Sequence, residues 1–133
     1  NPNLEVLQSE VMSYDLPVSL IFSPPPEKMP EFMAWADVAL TAGGSTCWEL
    51  AFMGVPGLII TVAENQEGIG EGLEKAGIAY NLGWHHQFAF DVLTDFLQRL
   101  IFDYSKRQEM SKKARKLIDG RGLERVIDCF FKL

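Results

Sequence analysis

The sequence is poor in cysteine, lacks a long apolar run and has fewer basic than acidic side chains. Its two cysteines, Cys47 and Cys129, lie far apart and form neither a CxxC pair nor a zinc-ligand spacing. We therefore expect no metal site from them and interpret both as buried free thiols. No apolar stretch approaches the ~18 residues that a transmembrane segment needs. The formal net charge of −6 argues against a nucleic-acid partner, because phosphate-backbone binding requires a basic face.

An initiating methionine is also missing, since the chain opens with Asn1-Pro2-Asn3 and continues directly into a helical pattern. This start is typical of a piece of a longer protein. The 133 residues, 47% of them hydrophobic, correspond to one globular domain. We expect residues 1–133 to form that single domain.

The apolar spacing alternates between the periods of strands and helices. Strands are predicted at 18–22, 38–41, 57–62 and 78–82, and helices at 4–14, 27–35, 45–53, 66–75, 88–102, 104–119 and 123–131. Alternation of this kind predicts an α/β fold, in which a Rossmann-like parallel sheet is flanked by helices, with extra helices at the C-terminus.

The segment Thr41–Glu49 contains the most informative loop, because ligands of such sheets bind at the carboxyl ends of strands. Gly43 and Gly44 permit unusual backbone angles and a close ligand approach. Ser45 and Thr46 then open a helix, whose free N–H groups and partial positive charge suit a diphosphate. The motif is neither a Walker sequence nor GxGxxG. An ordinary Gly-Gly turn explains the same residues equally well.

Two further polar groups permit both a structural and a functional interpretation. Glu49 completes a Thr46-x-x-Glu49 capping box, or its carboxylate accepts hydrogen bonds from ribose hydroxyls. Glu64-Asn65-Gln66 follows the most apolar strand, where amides could bind sugar hydroxyls or position a water, or Asn65 could cap the next helix. The adjacent His85 and His86 point in different directions and lack a carboxylate at ligand spacing, so no metal site is expected.

Taken together, residues 36–56 and 63–67 resemble the C-terminal half of GT-B nucleotide-sugar proteins. The broad relatives are the MurG-type N-acetylglucosaminyltransferases of peptidoglycan synthesis. The sequence is more similar to the PseG family of pseudaminic acid synthesis, which hydrolyses a UDP-linked diacetamido sugar, and to its sister group SpsG. These families share Gly-Gly-Ser-Thr-x-Trp-Glu with a downstream Asn-Gln, and Asn81-Leu-Gly-Trp84 also looks like them.

The resemblance implies a role for each matching residue. Gly43, Gly44, Ser45 and Thr46 would hold the diphosphate of a UDP-linked amino sugar, and Glu49 would hold its ribose. The loop after Phe22 would line the uracil through backbone contacts. Asn65 and Gln66 would face the sugar, and Asn65 would help to orient the attacking water in a hydrolase.

The family pattern also implies parts that this chain lacks. Proteins of this family have an N-terminal domain that carries the acceptor site or the catalytic histidine, and we expect this domain to be missing here. We also expect the first strand of the present domain to be missing. The chain is therefore expected to be the C-terminal piece of a two-domain protein, inactive by itself. No bound cofactor and a cytoplasmic location are implied, and no residue distinguishes a hydrolase from a transferase.

Overall fold

A computed structural model describes residues 4–15 and 17–131 of the chain. These described residues contain three strands, β1 (Ala39–Ala42), β2 (Gly57–Thr61) and β3 (Ala79–Trp84). The helices are α1 (Leu4–Ser13), α2 (Met29–Trp35), α3 (Thr46–Met53), α4 (Glu67–Lys75), α5 (Phe90–Phe102), α6 (Tyr104–Leu117) and α7 (Gly122–Phe131). Single 3₁₀ turns at Pro26–Lys28 and Glu64–Gln66 precede α2 and α4.

The strands form one parallel sheet in the order β1-β2-β3. The central strand, β2, has the sequence Gly-Leu-Ile-Ile-Thr and is almost entirely buried. A strand that is apolar on both faces requires cover on both sides, and helices connecting parallel strands supply it. The predicted Rossmann-like α/β class is therefore confirmed, together with the C-terminal helices.

Alternate residues of β2 point into two separate apolar clusters on the two faces of the sheet. Ile59 packs with α3, α4 and α6, in the cluster of Cys47, Ala51, Leu73, Ile78, Ala79 and Ala114. Leu58 packs on the opposite face, with Leu82, Leu100 and Met110. A third cluster of Met33, Leu50 and Val55 joins α2 to α3. These clusters fix the strand ends from which the site loops emerge.

The predicted strand at 18–22 is wrong. Residues 17–25 form neither helix nor strand, and Val18 and Ile21 are 49% and 55% exposed. A run of strand-forming residues becomes a strand only when a neighbour supplies backbone hydrogen bonds. Pro17 and Pro24, which flank the run, cannot donate any. The preceding helix α1 exists as predicted, but it contains no buried residue.

The two cysteines differ in burial, so the prediction of buried thiols is confirmed for Cys47 and wrong for Cys129. Cys47 is buried under the sheet, and burial raises the pKa of its thiol, so it is held as an unreactive apolar side chain. Cys129 is exposed, because α7 contributes no buried residue to the described chain. In residues 4–15 and 17–131, no helix combines the length and apolar character required to cross a membrane.

The central position of Leu58, which is 0% exposed, leads to a stability prediction. Truncation by Leu58→Ala should lower the free energy of unfolding by about 2–5 kcal/mol, because it leaves a cavity in a closed core. Urea denaturation followed by circular dichroism measures the loss. The matched control is Leu123→Ala on α7, where the leucine is 72% exposed and the expected change is within about 0.5 kcal/mol. Equal losses in the two variants would contradict this assignment of the core.

Candidate functional site

Three loops meet at one edge of the sheet, because all three strands run in the same direction. Residues 43–45 follow β1, residues 62–66 follow β2 and residues 85–89 follow β3. Ligands of parallel α/β sheets bind at this carboxyl edge. The structure therefore places the predicted Gly-Gly-Ser-Thr and Glu-Asn-Gln segments side by side.

The two glycines of the first loop have different surroundings. Gly43 is buried, and its N–H donates to the Ile60 carbonyl at 3.1 Å, which continues the pairing of β1 with β2. A Cβ at Gly43 would lie 3.0 Å from the backbone oxygen of Gln66, whereas a Cβ at Gly44 would meet nothing within 4 Å. Gly43 thus permits a close contact between two loops, and Gly44 borders open space.

The expected unusual backbone angles are not found at either position. The glycines with positive φ in the described chain are Gly54, Gly77, Gly83 and Gly120. The Gly43-Gly44 pair therefore serves close approach rather than a left-handed turn. Because Gly43 has no side chain, the backbone of Gln66 can pack against it. No atom occupies the corresponding space at Gly44.

Helix α3 begins directly after this loop, with Ser45 at its N-cap position. Ser45 is exposed and its side chain makes no capping hydrogen bond. The N–H groups of Cys47 and Trp48 bond the carbonyls of Gly44 and Ser45 at 3.1 and 3.0 Å. Within the described residues the N–H groups of Ser45 and Thr46 have no such partner, so both are available to an anion at the positive end of the helix.

The capping-box interpretation of Glu49 is wrong. The helix start is uncapped by any side chain, and Glu49 makes no hydrogen bond within residues 4–15 and 17–131. Its carboxylate is exposed and lies one turn into α3. A ligand-binding role for Glu49 stays a prediction.

An apolar groove of about 530 Å³ runs beside Glu49, between α2, α3 and the loop after α6. Its walls are formed mainly by aromatic rings, methionines and prolines, namely Pro26, Met29, Pro30, Met33, Trp48 and Phe52. Pro26 belongs to the loop that begins after Phe22, whereas Phe22 itself is not in the lining. The groove therefore extends the candidate site from the helix start towards α2.

Glu64–Gln66 forms a single 3₁₀ turn before α4. Asn65 is exposed, and the N-cap position of α4 is Gln66, without a side-chain cap. The alternative in which Asn65 caps the helix is therefore excluded. The Gln66 side-chain oxygen accepts a hydrogen bond from the Val62 N–H at 3.0 Å, so this residue stabilises its own loop and also contacts Gly43.

The third loop carries exposed imidazoles at His85 and His86, whose ring centroids are 4.9 Å apart. No group of three or more His, Cys, Asp or Glu side chains that could hold a metal occurs in the part of the chain that the structure describes. Two residues beside this loop are not assigned a site role by the sequence patterns. They are Trp84 and Glu67, whose side chains are joined by a 2.6 Å hydrogen bond.

The fold has the layout of a GT-B type C-terminal domain, and comparison with known proteins agrees. Residues 4–126 match the glycosyltransferase family 28 C-terminal domain, and the chain belongs to that family. Over 98 residues it is 32% identical to the spore coat polysaccharide biosynthesis protein SpsG of Bacillus subtilis (strain 168), an alignment covering 74% of this chain and 29% of that protein.

A second relative comes from Caldicellulosiruptor saccharolyticus. It is the UDP-N-acetylglucosamine--N-acetylmuramyl-(pentapeptide) pyrophosphoryl-undecaprenol N-acetylglucosamine transferase, which is 32% identical over 94 residues. That alignment covers 67% of this chain and 25% of the transferase. The chain thus spans less than a third of the length of either relative, and it is the C-terminal domain of a glycosyltransferase-like protein.

The unequal surroundings of the two glycines lead to a prediction about stability. Gly43→Ala should lower the free energy of unfolding by about 1–3 kcal/mol, because its methyl group presses on the backbone of Gln66. Gly44→Ala is the matched control and should change it by no more than about 0.5 kcal/mol. Thermal and urea unfolding of both variants provide the comparison. A Gly44 variant that is as unstable as the Gly43 variant would show that the space beside Gly44 is not free.

Proposed function

We propose that this domain binds a UDP-linked amino sugar, as the donor-binding part of a protein that processes nucleotide sugars. The observation that carries the proposal is the uncapped start of α3, which faces unfilled space at Gly44 beside the free Glu49 carboxylate and an apolar groove. These features offer separate partners for a diphosphate, a ribose and a base. The membership in a glycosyltransferase domain family supports the same function.

The diphosphate would lie at the loop of Gly43 and Gly44 and at the start of α3. The free N–H groups of Ser45 and Thr46 supply hydrogen bonds, and the helix end supplies about half a positive charge. The Ser45 hydroxyl is exposed at the same point and adds a donor. Because these groups are fixed before the ligand arrives, they also suit stabilisation of a departing diphosphate.

The nucleoside would extend from the diphosphate towards α2. Glu49, one turn into α3, would accept hydrogen bonds from the ribose hydroxyls. The uracil would enter the neighbouring groove, where Met29, Trp48 and Phe52 offer apolar surface. The loop after Phe22 reaches this groove at Pro26, so its backbone could supply the polar contacts that select uracil.

The sugar would lie on the other side of the diphosphate, against the turn that follows β2. Asn65 is exposed there, and its amide would offer both a donor and an acceptor to hydroxyl groups or a water. The Gln66 side-chain oxygen accepts from the Val62 N–H, so its amide N–H₂ would be the group that donates to the sugar. In a hydrolase, Asn65 would orient a water that attacks the anomeric carbon, while the bond to the diphosphate oxygen breaks and UDP leaves.

Among the possible whole proteins, we favour a UDP-sugar hydrolase of surface polysaccharide synthesis, of the pseudaminic acid or spore-coat type. The similarity to SpsG, whose name refers to spore coat polysaccharide biosynthesis, supports this assignment. The remaining machinery would belong to an N-terminal domain of the same protein, located in the cytoplasm. The second candidate is a GT-B glycosyltransferase, which the equal 32% identity to the N-acetylglucosamine transferase favours.

The proposed site predicts a loss of UDP binding in two variants. Gly44→Val should abolish binding, because its side chain fills the space that the diphosphate needs. Glu49→Ala should weaken binding by about 1–3 kcal/mol, the usual cost of losing a hydrogen bond to a charged group. Isothermal titration calorimetry with UDP measures both effects.

Matched controls for this experiment lie on α4. Gly72→Val is suitable because a Cβ there meets nothing within 4 Å, and Glu71→Ala removes an exposed carboxylate. Neither should alter UDP affinity. Unchanged UDP affinity in Gly44→Val would refute the proposed diphosphate site.

The reaction products of the full-length protein should distinguish a hydrolase from a transferase. Incubated with a UDP-linked diacetamido sugar and no acceptor, a hydrolase should release UDP and free sugar in equal amounts. Asn65→Ala should slow that release by about 10²-fold or more if the amide positions the water. Chromatography of the nucleotide products follows the reaction. Release that depends on adding a second sugar or lipid acceptor would instead establish the transferase.

A further inference from the structure

Strand β3 contains one extra residue near its carboxyl end. Ile59 of β2 pairs with Asn81, whereas Thr61 pairs with Trp84, so two steps along β2 oppose three along β3. Gly83, in the extra stretch, has φ of 77°, a left-handed conformation that glycine adopts without strain. A bulge of this kind redirects the side chain that follows it. It turns Trp84 to the face of the sheet on which α4 packs.

Polar contacts hold Trp84 in this position. Its indole Nε1–H donates to Glu67 Oε1 at 2.6 Å, and Glu67 is the first residue of α4. The bulge itself is fixed by Asn81, whose side-chain oxygen accepts from the Gly83 N–H at 3.1 Å and whose own N–H donates to Glu74 Oε1 at 3.1 Å. Several residues are thus used to orient a single indole ring.

Packing does not explain the position of this ring. Trp84 is half-buried and belongs to none of the three apolar clusters formed by the described residues. A tryptophan that served only the core would be enclosed by apolar side chains. Trp84 instead has the exposed ring of His86 nearby, with centroids 5.6 Å apart.

The ring also lies next to the proposed sugar site. Glu67 directly follows Gln66, whose backbone oxygen closely approaches Gly43. The His85 N–H donates to the Thr61 carbonyl at 3.0 Å, which keeps the third loop against the end of β2. A continuous series of contacts therefore connects the diphosphate loop, the Asn65 turn and Trp84.

We infer that Trp84, oriented by Glu67 and flanked by His86, forms the wall of the cleft on which the sugar ring of the nucleotide sugar stacks. The inference rests on the proposed function. A pyranose presents a C–H face that suits the apolar face of an indole, while its hydroxyls need the donors and acceptors that Asn65 and the imidazole provide. Trp84 is thus a specificity-determining residue for the sugar, and Glu67 is its positioning residue.

The experiment compares two ligands, UDP and UDP-N-acetylglucosamine, by isothermal titration calorimetry on the 133-residue chain. Trp84→Ala should weaken binding of the sugar nucleotide roughly tenfold and leave UDP affinity within about twofold of wild type. The matched control is Trp35→Ala on α2, where the tryptophan is 86% exposed and away from the carboxyl edge. It should change neither affinity.

Glu67→Ala tests whether Glu67 positions the indole of Trp84. It also tests the sugar-stacking inference if Trp84→Ala does not fold. It keeps the indole but releases it, so the sugar-nucleotide affinity should fall about two- to fivefold at unchanged UDP affinity. The indole N–H resonance of Trp84 should move upfield, because a short hydrogen bond to a carboxylate is lost. Adding UDP-N-acetylglucosamine to the wild-type chain should shift that resonance, whereas UDP alone should not.

The outcomes separate this inference from the proposed function. If the wild-type chain binds neither ligand, the proposed function fails. If UDP binds but the Trp84 and Glu67 variants weaken both ligands equally, their role is structural and the inference is overturned. It is likewise overturned if the folded variants bind UDP-N-acetylglucosamine as the wild type does.

Discussion

The close approach of Gly43 to Gln66 is the constraint on which the candidate site depends. It joins the loop after β1 to the loop after β2 without an intervening side chain. The parallel sheet brings these loops to one edge, but only this contact makes them walls of the same cleft. Helix α3, the turn at Asn65 and the start of α4 each lie within a few residues of this contact.

Much of the architecture could be predicted from residue patterns, because local chemistry and long-range packing agree. The apolar run 57–62 predicts a strand, and the structure forms it over Gly57–Thr61 and buries it at the centre of the sheet. The apolar spacing in the last third likewise predicted α5, α6 and α7 with small errors in their ends. In α5 and α6 the period of apolar residues also marks the face that is covered, whereas α7 has the period but no buried residue.

The failures have two physical origins, namely dependence on a neighbour distant in sequence and a shift of one residue in a helix start, since Ser45 and not Thr46 is the N-cap of α3. Val18–Phe22 has the composition of a strand, but no strand lies beside it in the described chain. Thr46 and Glu49 have capping-box spacing, yet the helix start remains uncapped. The role of Trp84 was hidden for the same reason, because a β-bulge is visible only once β3 is paired with β2.

The edge position of β1 has a practical consequence. The N–H groups of Ala39 and Gly43 bond towards β2, so the backbone groups of Leu40 face away from the sheet, beside a side chain that is 53% exposed. In the described chain no further strand pairs with this edge, and unpaired edges act as templates for intermolecular strand addition. For this domain handled in isolation, we therefore expect strand addition at β1 to increase with protein concentration.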